Sequence, residues 1–76
     1  MVNVAILGAG HIARKMADTI RQMKCRGDKV ELYAVASRSL EKAEAFAKEE
    51  GAVRAYGSYE ELVADPAVDL VYIATP

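Results

Sequence analysis

An α/β fold with a parallel sheet is what this 76-residue sequence predicts, on three observations. Short apolar runs rich in branched residues alternate with amphipathic stretches of helical period, the pattern of strands covered by crossover helices. The first run ends at two glycines, Gly8 and Gly10, directly before the first amphipathic stretch. Hydroxyl residues and a further glycine stand where the later helices need their ends closed. The order is strand, helix, strand, helix, strand, helix, strand, and right-handed crossovers then give a sheet order of 3-2-1-4.

Residues 2–7 are nearly all apolar and form the first strand, covered on both faces. Over residues 11–24, Ile12, Met16, Ile20 and Met23, with Ala13 and Ala17 beside them, recur at helical spacing. Arg14, Lys15, Asp18, Arg21 and Gln22 take the opposite side. Residues 25–29, "CRGDK", form the loop that ends this helix, and residues 30–36 form the second strand. Ser39 caps the next helix, with Glu41 in its first turn and Gly51 at its C-terminal end. Its apolar stripe is Leu40, Ala43, Phe46 and Ala47. Residues 53–57 are a brief third strand, and Ser58 with Glu61 forms the S-x-x-E box that opens a helix over residues 59–64. Pro66 stops it, and residues 70–75, "LVYIAT", form a fourth strand, again apolar on both faces.

Composition narrows the function. Hydrophobic residues are 53% and charged residues 28%, the balance of a packed globular chain. Ten basic against eleven acidic residues, with no basic run, argue against a nucleic-acid partner. No apolar run approaches the roughly 20 residues that span a bilayer, and the N-terminus lacks a signal-peptide pattern. The single cysteine, Cys25, has no partner for an internal disulfide and no companion thiols for zinc. A cytoplasmic chain with no membrane segment and no metal is expected.

The corner "GAGHIA" carries the chemistry. A pyrophosphate needs backbone N–H groups aimed at it and the positive end of a helix. Gly8 permits the tight turn, Gly10 removes a side chain that blocks backbone approach, and Ala13 is an accepted variant where helix and strand pack closely. A glycine pair alone is a weak signal, but this one follows a strand, opens a helix and begins a strand-helix alternation, which makes it a Rossmann-like dinucleotide corner. The end of the second strand chooses the cofactor. NAD sites place Asp or Glu there to accept from the ribose 2′-hydroxyl, whereas this chain reads "ASRS" with Ser37 and Arg38. A hydroxyl beside a guanidinium binds a 2′-phosphate by charge-assisted hydrogen bonds, so NADP is expected over NAD. Arg38 could instead stack on the adenine, which suits NAD as well. The same missing carboxylate argues against S-adenosylmethionine.

Three segments, "VAILGAGHIA", "AVASRSLEKAEAFA" and "AYGSYEELVADPAVDLVYIATP", together resemble the N-terminal domain of the glucose-fructose oxidoreductase and inositol dehydrogenase (Gfo/Idh/MocA) family. The resemblance spans the whole chain. It implies a domain binding NADP or NAD over residues 1–76, followed in full-length members by a substrate domain, and an enzyme acting by hydride transfer on a hydroxyl or carbonyl of a sugar, inositol or related compound. It also implies a homo-oligomer. Residue by residue, the family's pyrophosphate turn falls on Gly8, Ala9, Gly10, His11 and Ile12, its 2′-phosphate contacts on Ser37 and Arg38, and the passage by ribose and nicotinamide on Ala74, Thr75 and Pro76. The family's catalytic lysine, in a Glu-Lys-Pro motif, and its acid–base residue have no counterpart in the sequence, so the 76 residues alone are expected to bind without turnover. A competing expectation is a non-catalytic dinucleotide-binding or sensing module that acts through a partner chain.

Other polar residues have plainer roles. His11 lacks an orienting partner, Lys42 is a solvated helix residue, and Cys25 is a surface thiol. Tyr33 and Tyr72 are expected to pack under helices, Tyr56 and Tyr59 to flank the third strand and helix, and Asp65 and Asp69 to serve the turn around Pro66.

Overall fold

The computed structural model describes residues 1–74. Its elements are β1 (Val2–Leu7), α1 (His11–Cys25), β2 (Val30–Ala36), α2 (Leu40–Glu50), β3 (Arg54–Tyr56), α3 (Tyr59–Val63) and β4 (Leu70–Ile73). All strand pairs are parallel, in the order β3-β2-β1-β4 that the sequence predicts. The chain leaves β1 sideways through β2 and β3, then crosses back to place β4 on the other side of β1. The C-terminal end of β1 therefore faces the topological switch point, where open α/β sheets bind ligands.

The two faces of the sheet bury different helices. Val4, Ile6, Leu32 and Val35 meet Ala13, Ala17 and Ile20 of α1 and Ala43, Phe46 and Ala47 of α2. On the opposite face Ala5, Ala34 and Ala36 meet Leu62 of α3. The buried row of α1 is thus 13, 17, 20 and not the row through Ile12, which is 50% exposed. Ala13 lies on the same first turn of α1 as Ile12 but on its buried side, fully enclosed in the core. Leu40 is likewise half exposed on the first turn of α2. Across the two helices Arg14 bonds Glu49 at 2.6 Å, stands 5.8 Å over the Phe46 ring, and Arg21 lies 3.2 Å from Glu50.

The predicted helix ends are present. Ser39 Oγ accepts from the Lys42 N–H and Ser58 Oγ from the Glu61 N–H. Gly51 closes α2 with φ +82°, a left-handed conformation that other residues rarely adopt. Cys25 is the exposed last residue of α1, outside the loop where the sequence suggested it.

Two strands depart from expectation. Among the described residues β4 pairs with β1 alone and is not covered on both faces: Leu70, Tyr72 and Ile73 are exposed, so Tyr72 does not pack under a helix. The end of the strand as read from the sequence, Thr75, lies outside the described residues. In β2 the pairing with β1 slips: Val4 stands opposite Leu32 but Ala5 opposite Ala34, which leaves Tyr33 as one extra residue. Tyr33 and Ala34 consequently both face α3. Among the described residues no helix is long and apolar enough to cross a membrane.

Candidate functional site

The chain turns at the end of β1 through Gly8, whose φ of +116° is a conformation glycine adopts freely and other residues rarely. The Gly8 N–H donates to the Ala36 carbonyl at 2.7 Å, so the corner is fastened to the end of β2. Ala9 packs against the core beneath it. Gly10 differs from Gly8 in kind. Its φ is −93°, open to any residue, and among the described residues no atom beyond its chain neighbours lies within 4 Å of a Cβ placed on it. The fold does not demand glycine at position 10; what glycine provides there is room above the backbone.

Gly10 is also the N-cap of α1, and no side chain caps this helix or places a carboxylate in its first turn. α2 and α3 are both closed by their own serines, with acidic residues in their first turns. The N–H groups and positive potential at the start of α1 are thus left for an anion that comes from outside the helix. His11 and Ile12 are exposed on this first turn. Ala74, the last described residue, donates its N–H to the Leu7 carbonyl at 2.9 Å and packs in the core beside Ala9. The structure therefore gathers Gly8 to Ile12 and Ala74 at one end of the sheet. Thr75 and Pro76, singled out with Ala74 from the sequence, lie outside the described residues.

Ser37 and Arg38 follow the same sheet end across β2. The Ser37 N–H donates to the Tyr56 carbonyl at 3.1 Å, and Ser37 Oγ accepts from the Ser39 N–H at 3.3 Å. Its hydroxyl hydrogen stays free to donate outward, to an acceptor such as a phosphate oxygen. Arg38 is exposed and takes part in none of the ion pairs among the described residues. No carboxylate occupies residues 36–38, where a ribose 2′-hydroxyl would need one.

Sequence reasoning missed a polar cluster on the α3 face. The hydroxyls of Tyr33 and Tyr56 both donate to Asp65 Oδ2, at 2.9 and 2.5 Å, while the Ala67 N–H donates to Oδ1 at 2.9 Å. Arg54 Nε donates to the Tyr33 hydroxyl at 3.1 Å. The hydrogen bond from Tyr56, then that from the Ala67 N–H, holds the Asp65 carboxyl below its ordinary range. The same bond raises the Tyr56 hydroxyl. A lowered folded-state carboxyl contributes stability that is present above the ordinary carboxylate range and is lost as pH falls through it and below. Acid titration is therefore expected to destabilise the wild-type chain more than Asp65→Asn, read as the pH dependence of the urea midpoint; parallel curves would contradict this. Asp65 serves its turn as predicted, but Tyr33 and Tyr56 reach it from distant strands, and the bulge that aims Tyr33 leaves no mark in the sequence. Asp69 bonds the Asn3 N–H at 2.8 Å and ties the entry of β4 to β1.

Comparisons with known proteins agree with this geometry. Residues 2–76 match the family described as "Oxidoreductase family, NAD-binding Rossmann fold" (GFO_IDH_MocA). The trans-1,2-dihydrobenzene-1,2-diol dehydrogenase of Oryctolagus cuniculus is 44% identical over 70 residues, 92% of this chain and 21% of that protein. Among solved structures, an NAD binding oxidoreductase from Klebsiella pneumoniae superposes with a TM-score of 0.88 at 35% identity, covering 99% of this chain and 21% of that one. A mutant of KijD10, a 3-ketoreductase from Actinomadura kijaniata solved with TDP-benzene and NADP, gives a TM-score of 0.82 at 25% identity, over 99% of this chain and 23% of that one. The chain spans about a fifth of the length of the curated relatives it matches. With a parallel 3-2-1-4 sheet, an open glycine corner at its switch point and a family match over residues 2–76, the chain belongs to the Gfo/Idh/MocA oxidoreductase family and has its NAD-binding Rossmann fold.

Proposed function

We propose that this chain is the cofactor-binding part of a nicotinamide-dinucleotide-dependent oxidoreductase that prefers NADP to NAD. Gly8, Ala9, Gly10, His11 and Ile12 hold the pyrophosphate, Ser37 and Arg38 the 2′-phosphate, and Ala74, Thr75 and Pro76 border the ribose and nicotinamide. The observation that carries this reading is Gly10, which has an ordinary φ and, among the described residues, nothing beyond its chain neighbours within 4 Å of a Cβ, at the head of an uncapped helix. Only a ligand coming close to the backbone makes use of glycine there. When bound, the cofactor supplies hydride transfer at its nicotinamide, here with a hydroxyl or carbonyl of a sugar, polyol or related compound. The diol dehydrogenase relatives support that substrate class, and solved neighbours in complex with NADP and with NAD support a nicotinamide dinucleotide.

This chain's own residues bind and orient. The first-turn N–H groups of α1 and its positive end neutralise the pyrophosphate, the Ser37 hydroxyl donates to the 2′-phosphate, and Arg38 pairs with its charge. No residue among these is placed to move a proton at the substrate. In this reading residues 1–76 bind cofactor without turnover, and the substrate contacts and acid–base groups belong to a substrate domain.

Gly10→Ser separates ligand from fold because the two effects have opposite signs. The serine hydroxyl caps α1, so stability is expected to hold or rise by a few tenths of a kcal/mol. The same side chain fills the room above the backbone and occupies an N–H, so NADP and NAD affinity, measured by calorimetry, is expected to fall about 10-fold or more. Unchanged affinity in a folded sample would overturn the assignment.

A further inference from the structure

The 2′-phosphate assignment raises the question of what keeps Ser37 and Arg38 in place. Arg38 has no partner among the described residues, and the Ser37 side chain bonds only within the loop, to the Ser39 N–H, so neither side chain ties the loop to the rest of the fold. The loop leans on the end of β3 instead. The Ser37 N–H donates to the Tyr56 carbonyl at 3.1 Å. Gly57, the next residue, faces Leu40 at the far end of the loop so closely that a Cβ there would lie 3.1 Å from Leu40 Cβ. Residues 37–40 are thus seated on residues 56–57 at both ends.

Residue 56 is in turn anchored from outside its short strand. β3 has only three residues, Arg54–Tyr56, too few to fix its own end firmly. The Tyr56 hydroxyl bonds Asp65 Oδ2, and Asp65 is fastened independently through Oδ1, which accepts from the Ala67 N–H. We infer that Tyr56 and Asp65 are positioning residues for cofactor selection: they hold the end of β3 so that its backbone presents Ser37 and Arg38 to the 2′-phosphate. This rests on the cofactor reading above and extends it to two side chains on the opposite face of the sheet, neither of which touches the nucleotide.

The test compares Tyr56→Phe and Asp65→Asn with Tyr33→Phe, which removes the other hydroxyl on Asp65 but leaves the Tyr56 link intact. Amide hydrogen exchange at Ser37 reads the loop directly, with the Gly8 amide, bonded to Ala36, as the internal control. Calorimetry with adenosine 2′,5′-bisphosphate and with ADP reads selection. Tyr56→Phe and Asp65→Asn are expected to speed Ser37 exchange about 10-fold, weaken the 2′,5′-bisphosphate about 5-fold and leave ADP within about 2-fold. Tyr33→Phe is expected to change none of these by more than about 2-fold. Equal losses for both nucleotides, an unmoved Ser37 amide, or faster exchange with unchanged selection would each overturn the proposal. If the wild-type chain binds the 2′,5′-bisphosphate no tighter than ADP, the NADP preference itself fails, and the Ser37 exchange rate alone decides whether Tyr56 and Asp65 hold the loop.

Discussion

Arg38→Asp is expected to weaken NADP binding about 100-fold while NAD binding changes less than about 5-fold. The substitution removes a charge-assisted partner of the 2′-phosphate and puts a repelling carboxylate in its place. The same carboxylate stands where a ribose 2′-hydroxyl can donate to it, so NAD is spared and can gain. Arg38 is exposed and has no ion pair among the described residues, so no structural partner among them is lost with it. Calorimetric titration of both cofactors into both chains measures the shift. A preference left unchanged would show that Arg38 does not carry the selection.

The largest effect on stability is expected at Phe46. It is the largest fully buried side chain, 2% exposed, and it sits where α2 meets β2 and β1 with α1 alongside. Phe46→Ala is expected to cost about 3–5 kcal/mol from lost transfer energy and an unfilled cavity. The Arg14 guanidinium would lose the ring beneath it as well. A chain of 76 residues has roughly 4–11 kcal/mol in total, so the variant is expected to be near its folding limit, with a melting midpoint lowered by roughly 12 °C or more. A loss under about 1 kcal/mol would mean that the flanking alanines close the gap.

Much of this architecture was legible because two periodicities and three helix ends agree. Ser39, Ser58 and Gly51 mark boundaries through local hydrogen bonding, which depends on a few neighbouring residues and so can be read in one dimension. The corner at Gly8 and Gly10 was legible for the same reason. Burial was read less well. Ile12 and Leu40 fit the apolar period but are half exposed on the first turns of their helices, while Ala13 and Ala17 are fully buried. β4 reads as a covered strand because its residues are apolar, yet among the described residues only β1 lies beside it and Leu70, Tyr72 and Ile73 are exposed. The Tyr33, Tyr56 and Asp65 cluster joins positions separated by up to 32 residues, and no local rule connects them.

The slipped pairing in β2 also bears on how chain length can vary. Leu32 and Val35 face α1 and α2, whereas Ala34 and Ala36 face α3. Deleting Tyr33 alone would leave every one of these residues on its present side, because the strand would revert to plain alternation. Deleting a residue of β2 other than Tyr33 or Ala34 would turn part of the core outward. Position 33 is thus a place in the strand where the loss of a single residue can be absorbed. A chain one residue shorter there would keep its core and lose the hydroxyl between Arg54 and Asp65.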